Sequence, residues 1–410
     1  MNKFKLSLFV FRRDLRIDDN IGLIKALELS TFVVPIFIFT PEQLINNKYK
    51  SDNCVQFMVE NLKLLDENLQ KKKSKLYYFF GNPNKIIKQI YNDIGCDAIF
   101  VNQDYTPYSI KRDRAIKNLC RELDISFNSY EDILLNPINS IKNTQGNIYT
   151  KFTPYFNYAI KFKVNEPIKN TKNNFIKQTF KIKNEYDKTK ITDFFNYNEN
   201  LAFHPSFQML NKIKRQQDYN NKHNYLTYET SGLSVYIKFG TFSIRQIYHK
   251  IIKYLGKKSD LIKQLYWRDF YYNISYNYPY IFNQNKGNLN IKYNKIKWWG
   301  TTAHYDNWKN ATTGFPIVDA CMRQMNTTGF MHNRGRLIVA SFLVKILLVD
   351  WKKGEKYFAT KLIDYDPSVN TGNWGWVCGS GADAQPYFRI FNPWLQSDKY
   401  DNEAVFIKRW

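Results

Sequence analysis

Near the carboxyl end, Asp364-Tyr-Asp-Pro-Ser-Val-Asn370-Thr-Gly-Asn-Trp374-Gly-Trp376 crowds two carboxylates, amide side chains and two indoles into one short stretch. Trp351, the run Asn333-Arg-Gly-Arg336 and the pair Trp298-Trp299 lie upstream. An indole buries a large apolar body and still needs a partner for its N–H. Indoles beside charged and amide groups predict a site that holds an aromatic cofactor and moves electrons to it.

Three further stretches carry chemistry, and each also has a purely structural reading. Thr230-Ser-Gly-Leu-Ser234 stands before an apolar helical run. Hydroxyls and a glycine at a helix start cradle phosphate through backbone N–H groups, or simply cap the helix. Arg334 and Arg336 precede an apolar helix, where arginine binds phosphate or pairs with carboxylates such as Asp364 and Asp366. Tyr266-Trp267-Arg268-Asp-Phe-Tyr-Tyr272 interleaves aromatics with charge, which suits stacking on an unpaired base or a core helix.

The elements that must position these groups change character along the chain. Residues 1–130 alternate short apolar runs with helical patterns. The strands expected are Leu6–Phe11, Phe32–Phe39, Leu76–Phe80, Ala98–Asn102 and Ser126–Tyr130, with helices near 21–29, 55–70, 84–91 and 109–123. This order predicts an α/β domain with a doubly wound parallel sheet. Neither a G-x-G-x-x-G nor a Walker sequence occurs. Residues 131–200, broken by Pro137, Pro154 and Pro167, read as a long linker. From 201 to 410 strand signals vanish and helical periodicity takes over, predicting an all-α domain. Leu337–Val349 is apolar nearly all round, so it should be central and buried.

Composition narrows the partners. The 410 residues carry a formal charge of +24, which favours a polyanion and nucleic acid first. The 5 cysteines form no C-x-x-C and the 5 histidines show no ligand spacing, so a reducing compartment and no metal site are expected. The apolar start runs straight into Arg12-Arg13-Asp14 without a cleavage site, and no run is long enough to span a membrane. A cytoplasmic protein is expected.

Several motifs, in order, give the chain a closer affinity. Phe9-Val-Phe-Arg-Arg-Asp-Leu-Arg16, Phe152-Thr-Pro-Tyr155, Ser231-Gly-Leu-Ser234, Trp267-Arg-Asp-Phe270, Gly314-Phe-Pro-Ile-Val-Asp319, Met331-His-Asn-Arg-Gly-Arg336 and Tyr387-Phe-Arg-Ile-Phe-Asn-Pro393 together resemble the photolyase/cryptochrome family of blue-light flavoproteins over essentially the whole chain. Cyclobutane-dimer DNA photolyases of class I are the nearest likeness.

The resemblance implies FAD in the helical domain and UV-damaged DNA as the partner of a monomer, near the nucleoid in a bacterium. It implies that Tyr219, Thr230, Ser231, Gly232, Leu233 and Ser234 hold the flavin diphosphate. Arg336 pairs with Asp364 beside the ring, Asp366 contacts ring or ribose, and Asn370 faces N5. Trp374, Trp351 and Trp298 form an electron path to the surface. Trp267 and Trp376 wall the lesion, with Gln264 and Leu337 beside it; Asn333 and Arg334 contact lesion or phosphate, and Arg268 contacts DNA backbone. Gln264 replaces the glutamate, and Leu337 the methionine, of cyclobutane-dimer enzymes. A (6-4) photolyase would instead carry histidines at 333 and 337. A cryptochrome photoreceptor without repair is the alternative, disfavoured by the stop at Trp410 without an appended tail. The segment Asn102–Tyr108 falls in an antenna region, with deazaflavin, folate, flavin or nothing bound.

Overall fold

The computed structural model describes residues 3–385 and 388–410; Tyr387 of the last motif lies outside the described residues. Five strands, β1 (Phe4–Phe11), β2 (Ser30–Phe39), β3 (Tyr77–Phe80), β4 (Ala98–Asn102) and β5 (Ser126–Tyr130), form a parallel sheet in the order β3-β2-β1-β4-β5. Phe4 of β1 pairs with Ser30 and Phe11 with Phe37, while Ser7 pairs with Ala98 on the other side. Strand alternation splits the aromatics and aliphatics between two faces. Leu8, Val10, Ile36 and Ile38 pack under Ile87, Ile90 and Ile116. Phe9, Phe11, Phe37 and Phe39 face the other way and join one core with Phe152, Tyr236, Phe239 and Phe270. The sheet therefore shares its aromatic face with the helical part of the chain.

The segment 131–200 is ordered by what it ties down. Leu135 and Asn136 donate backbone N–H groups to Asp269 Oδ2 at 2.8 and 3.1 Å. Val33 N donates to Asn174 O at 3.0 Å and Ile176 N to Val33 O at 2.9 Å, so the segment covers the stretch of β2 that the short β3 leaves free. A buried ionic clamp adds to this. Arg245 donates to Asp19 Oδ2 at 3.0 Å and to Asp132 Oδ1 at 2.7 Å, and Arg16 meets Asp132 Oδ2 at 2.6 Å. It joins the sheet, the connecting segment and the helix Ile244–Leu255.

From 201 onward the described residues contain helices and no strands. The apolar run at 337–349 departs from expectation. The helix is Asn333–Ser341, begun by His332, whose side chain accepts the Arg334 N–H at 3.1 Å. A π turn over Phe342–Ile346 then widens the coil. Ile338 to Val344 are buried as expected, but Ile346 is 38% and Leu348 39% exposed. Leu348 takes a positive φ of 51°, and Val349, which closes the run, is buried again at 1%.

Candidate functional site

The helices Leu233–Phe239, Asp260–Asn277, Asn333–Ser341 and Pro367–Cys378 surround a cavity of about 420 Å³. Tyr219, Thr230, Ser231, Gly232, Leu233, Ser234, Gln264, Trp267, Arg268, Asn333, Arg336, Leu337, Asp364, Asp366, Asn370, Trp374 and Trp376 all line it. Residues up to 157 positions apart in sequence meet here. Arg334, Trp351 and Trp298 do not line it.

At one end of the lining, Gly232 takes a left-handed conformation, φ 62°, that only glycine adopts freely. A Cβ there would collide with the Phe203 ring at 2.5 Å, so the backbone is held close against its neighbours and starts the next helix. Further along the wall, Arg336 donates to Asp364 Oδ2 at 2.9 Å, as the resemblance implied. Ser234 Oγ donates to the same oxygen at 2.7 Å. Asp364 Oδ1 is buried with no protein partner. An orphaned carboxylate oxygen is costly unless a ligand N–H or O–H meets it, and a flavin ring carries such a donor. The residues present therefore fit FAD.

Asp366 is committed to the protein instead. Its Oδ2 binds Arg13 and accepts Tyr272 OH at 2.5 Å, while Oδ1 caps the next helix by accepting Ser368 and Val369 N–H at 3.1 and 3.3 Å. Burial pushes this carboxyl up, but Arg13, Lys238, Arg268 and the Tyr272 hydroxyl outweigh burial and hold it well below the usual carboxylate range. Lys238 lies half-buried between cavities, and burial followed by the Arg13 charge lowers its pKa.

Asn370 turns its amide nitrogen away, donating to Glu355 O at 3.1 Å and Glu355 Oε1 at 2.9 Å. Trp374 is 3% exposed and meets Phe358 and Trp308 edge-on, with ring centroids at 5.0 and 6.3 Å. Trp351, 2% exposed, donates its indole N–H to Asn288 Oδ1 at 3.0 Å. Both belong to one packed cluster, and half-buried Trp298 sits against it. The three indoles thus run from the cavity wall to a partly exposed position.

Gln264 and Asn333 are solvent-exposed lining residues, so they mark the mouth. Trp267 stacks on Phe152 at 3.6 Å and on Tyr271 at 5.5 Å, which leaves only part of its ring to the cavity. Trp376 is half-buried and its indole N–H lacks a protein partner.

Two residues expected to contact DNA are partly engaged by the protein. Arg268 lines the cavity, is buried, donates to Ile133 O at 2.5 Å and lies 4.6 Å from the Tyr272 ring centroid; its Nη2 has no partner among the described residues. Arg334, half-buried, donates to Asn224 Oδ1 at 2.5 Å and Gln396 Oε1 at 3.4 Å and sits 4.4 Å from the Tyr400 ring centroid, while its Nε has no partner among the described residues.

A second cavity, of about 530 Å³, opens at the carboxyl ends of β1, β2 and β4, the usual ligand position in an open parallel sheet. Asp104, Thr106 and Tyr108 of the expected antenna segment line it, with Arg12, Arg13, Lys50 and Arg112. Lys238 and Tyr365 line both cavities. Reading the sequence missed Lys238 and Glu355, and it placed Tyr272 in an aromatic stretch without its hydrogen bond to Asp366. A lysine inside the apolar run Val235-Tyr-Ile-Lys-Phe239 was a usable signal; Glu355 gave none.

The fold and this cavity define a flavin-binding protein. A family model described as the FAD binding domain of DNA photolyase matches residues 261–410, and one described as DNA photolyase matches 7–172. The chain is 33% identical to a deoxyribodipyrimidine photo-lyase of Buchnera aphidicola, across 99% of this chain and 88% of that one. It is 39% identical to an archaeal photolyase from Sulfolobus tokodaii solved with two FAD molecules, with a TM-score of 0.89 over 99% of this chain and 90% of that one. A cryptochrome from Synechocystis is 27% identical, with a TM-score of 0.88 over 100% of this chain and 89% of that one. This chain belongs to the DNA photolyase family; it is an enzyme, and FAD is its cofactor.

Proposed function

We propose that this chain repairs cyclobutane pyrimidine dimers in UV-damaged DNA under blue light. One observation carries the reading. The same cavity has Ser234, Arg336, Asp364 and Asn370 on its walls and Gln264, Trp267, Asn333, Leu337 and Trp376 around it, with Gln264 and Asn333 exposed. A lesion entering by that mouth meets the cofactor directly. The net charge of +24 suits a DNA partner.

The chemistry supplied by bound, reduced FAD is a light-driven loan of one electron to the lesion. The protein does the rest. Asp364, held by Arg336 and Ser234, offers its free Oδ1 to orient the ring. Asn370 addresses the ring near N5. Trp267 and Trp376 receive the flipped lesion, and flipping is the habit of this enzyme class. Gln264 offers an amide to a pyrimidine edge without being a proton donor of carboxylic strength. Trp374, Trp351 and Trp298 would relay electrons from an external reductant toward the flavin site. The enzyme works as a cytosolic monomer on the chromosome.

The second cavity holds an antenna pigment, and a flavin is the best fit. The archaeal relative's two FAD molecules support this, and the lining is rich in cations, with Arg12, Arg13, Lys50, Arg112 and Lys238. The competing reading is a photoreceptor without repair, supported by the likeness to the Synechocystis cryptochrome. Repair at a (6-4) lesion is disfavoured, because Asn333 and Leu337 supply no acid.

The deciding experiment illuminates purified, reduced protein with an oligonucleotide carrying one cyclobutane dimer. Conversion to two intact pyrimidines is expected. An unchanged dimer, with flavin bound and reduced, would leave the photoreceptor reading.

A further inference from the structure

A smaller cavity of about 170 Å³ is lined by Tyr49, Gln284, Lys352, Glu355, Tyr365 and Thr371, and Tyr365 lines the large cavity too. It has room for several waters, at about 30 Å³ each. Glu355 lines the small cavity and hydrogen-bonds Asn370, which lines the large one. It is 3% exposed and accepts Asn370 Nδ2 at 2.9 Å and Thr371 Oγ1 at 3.2 Å on Oε1. Its own backbone carbonyl accepts Asn370 Nδ2 at 3.1 Å. A carbonyl can only accept, so the amide nitrogen must face Glu355 and Oδ1 must face away.

We propose that Glu355 is a positioning residue for Asn370 and the proton acceptor linked to flavin reduction. It fixes the Asn370 amide with Oδ1 toward the large cavity, and it takes up a proton from the small cavity when negative charge accumulates on the flavin. This rests on the reading that Asn370 faces the ring. The balance is simple: an external reductant supplies the electrons, a buffer acid in bulk solvent gives up one proton and is left as its conjugate base, the small cavity relays that proton, and the only bond formed in the protein is the Glu355 O–H. A carboxylate next to a ring gaining negative charge is destabilised in its ionised form. Glu355 is already poised for this, because burial pushes its carboxyl up to about 7 despite the hydrogen bonds from Asn370 and Thr371 and the nearby Lys352.

The titratable groups around it are few. Lys352, one turn earlier, donates to Asn283 O at 2.7 Å, and Tyr49 and Tyr365 feel its charge from the small cavity. Burial raises both phenols, so neither titrates with it near neutrality. The groups it meets on the helix Pro367–Cys378, Asn370 and Thr371, carry no charge.

The test uses the flavin-loaded protein, titrated with dithionite over a pH series. The wild type is expected to show a break in flavin midpoint potential near pH 7, lost in Glu355→Gln and restored, though displaced, in Glu355→Asp. Infrared difference spectra of oxidised and reduced wild-type protein should show a carboxylic C=O band that grows on reduction near pH 7 and is missing in Glu355→Gln. Superimposable potential curves for wild type and Glu355→Gln overturn the inference. If that variant does not fold, absence of the band in the wild type overturns it equally. Asn370→Ala separates the two levels. A potential indifferent to Asn370→Ala removes Asn370 from the ring; one altered by Asn370→Ala but not by Glu355→Gln removes Glu355 alone.

Discussion

The helical cavity and the one at the carboxyl ends of the strands, here the sheet edge, are built on different principles. In the helical one, single atoms are spoken for: Asp364 Oδ2 takes Arg336 and Ser234 and leaves Oδ1 free, and Asn370 spends its nitrogen on Glu355. In the one at the sheet edge, the lining is a ring of strand ends, loop residues and cations. Between them stands a buried ionic wall of Arg13, Asp366, Tyr272 and Asp104, with Arg13 3.5 Å from Asp104. Electron transfer and redox tuning need particular groups at particular points. Light harvesting needs a chromophore held near the flavin, which many linings provide.

The sharpest way to break that contrast is one substitution in each cavity. Trp374→Phe should abolish light-driven reduction of the oxidised flavin while sparing repair by chemically reduced enzyme. Tyr108→Phe, at the sheet edge, should leave the absorbance of any second pigment unchanged. Absorbance under illumination checks both. Unaltered photoreduction in Trp374→Phe would take that indole out of the path.

The wall itself is the next target. Removing one partner of a buried ion pair leaves an uncompensated charge and costs about 3–5 kcal/mol. Arg13→Met strands Asp366 and Asp104 together, so denaturant unfolding should show a loss of that order. A loss under about 1 kcal/mol would mean that Lys238 and Arg268 suffice to hold Asp366.

The same contrast explains what the sequence revealed. The parallel sheet followed from alternating strands and helices, and the helical cavity from motif-dense stretches such as Met331–Arg336. Both are cases where local pattern and chemistry coincide. The protein partners of Arg268 and Arg334 were not legible, because a charged residue in a motif carries no sign of which way its helix face points. Glu355 was invisible because its burial depends on the packing of Trp351–Lys361 against Pro367–Cys378. The sheet-edge cavity has contributions from residues as distant as Phe11 and Tyr365, and no short motif encodes such a meeting.

Acid should act on the cap of the helix that carries Asn333 and Arg336. His332 caps the Asn333–Ser341 helix as a neutral acceptor; burial, then the charges of Arg336, Arg334 and His223, push its pKa from 6.5 down to about 4. Above 6.5 the ring is neutral folded and unfolded alike. As pH falls through that value the unfolded chain takes up a proton that the folded one refuses, so stability drops until about pH 4. The gap corresponds to about 3 kcal/mol at most. His332→Asn keeps a capping side chain without the titration, so its unfolding midpoint should vary less over this range. An unchanged pH profile would assign the acid sensitivity to other groups.

The smallest effect concerns the mouth, where the helical cavity is least specified. Gln264 is exposed and has no hydrogen-bond partner within the protein. A glutamine there offers one weak donor and one acceptor to a pyrimidine edge. A glutamate, next to a lesion acquiring negative charge, is pushed toward its protonated form and then donates more strongly. One hydrogen bond improved by about 1 kcal/mol corresponds to roughly a fivefold change. Gln264→Glu should therefore raise the quantum yield of dimer splitting several-fold at most, with little change in dark binding of the damaged duplex. Equal yields would show that the flavin side of the cavity alone sets the efficiency. The mouth would then resemble the sheet edge, a place where the lining matters for shape more than for any single atom.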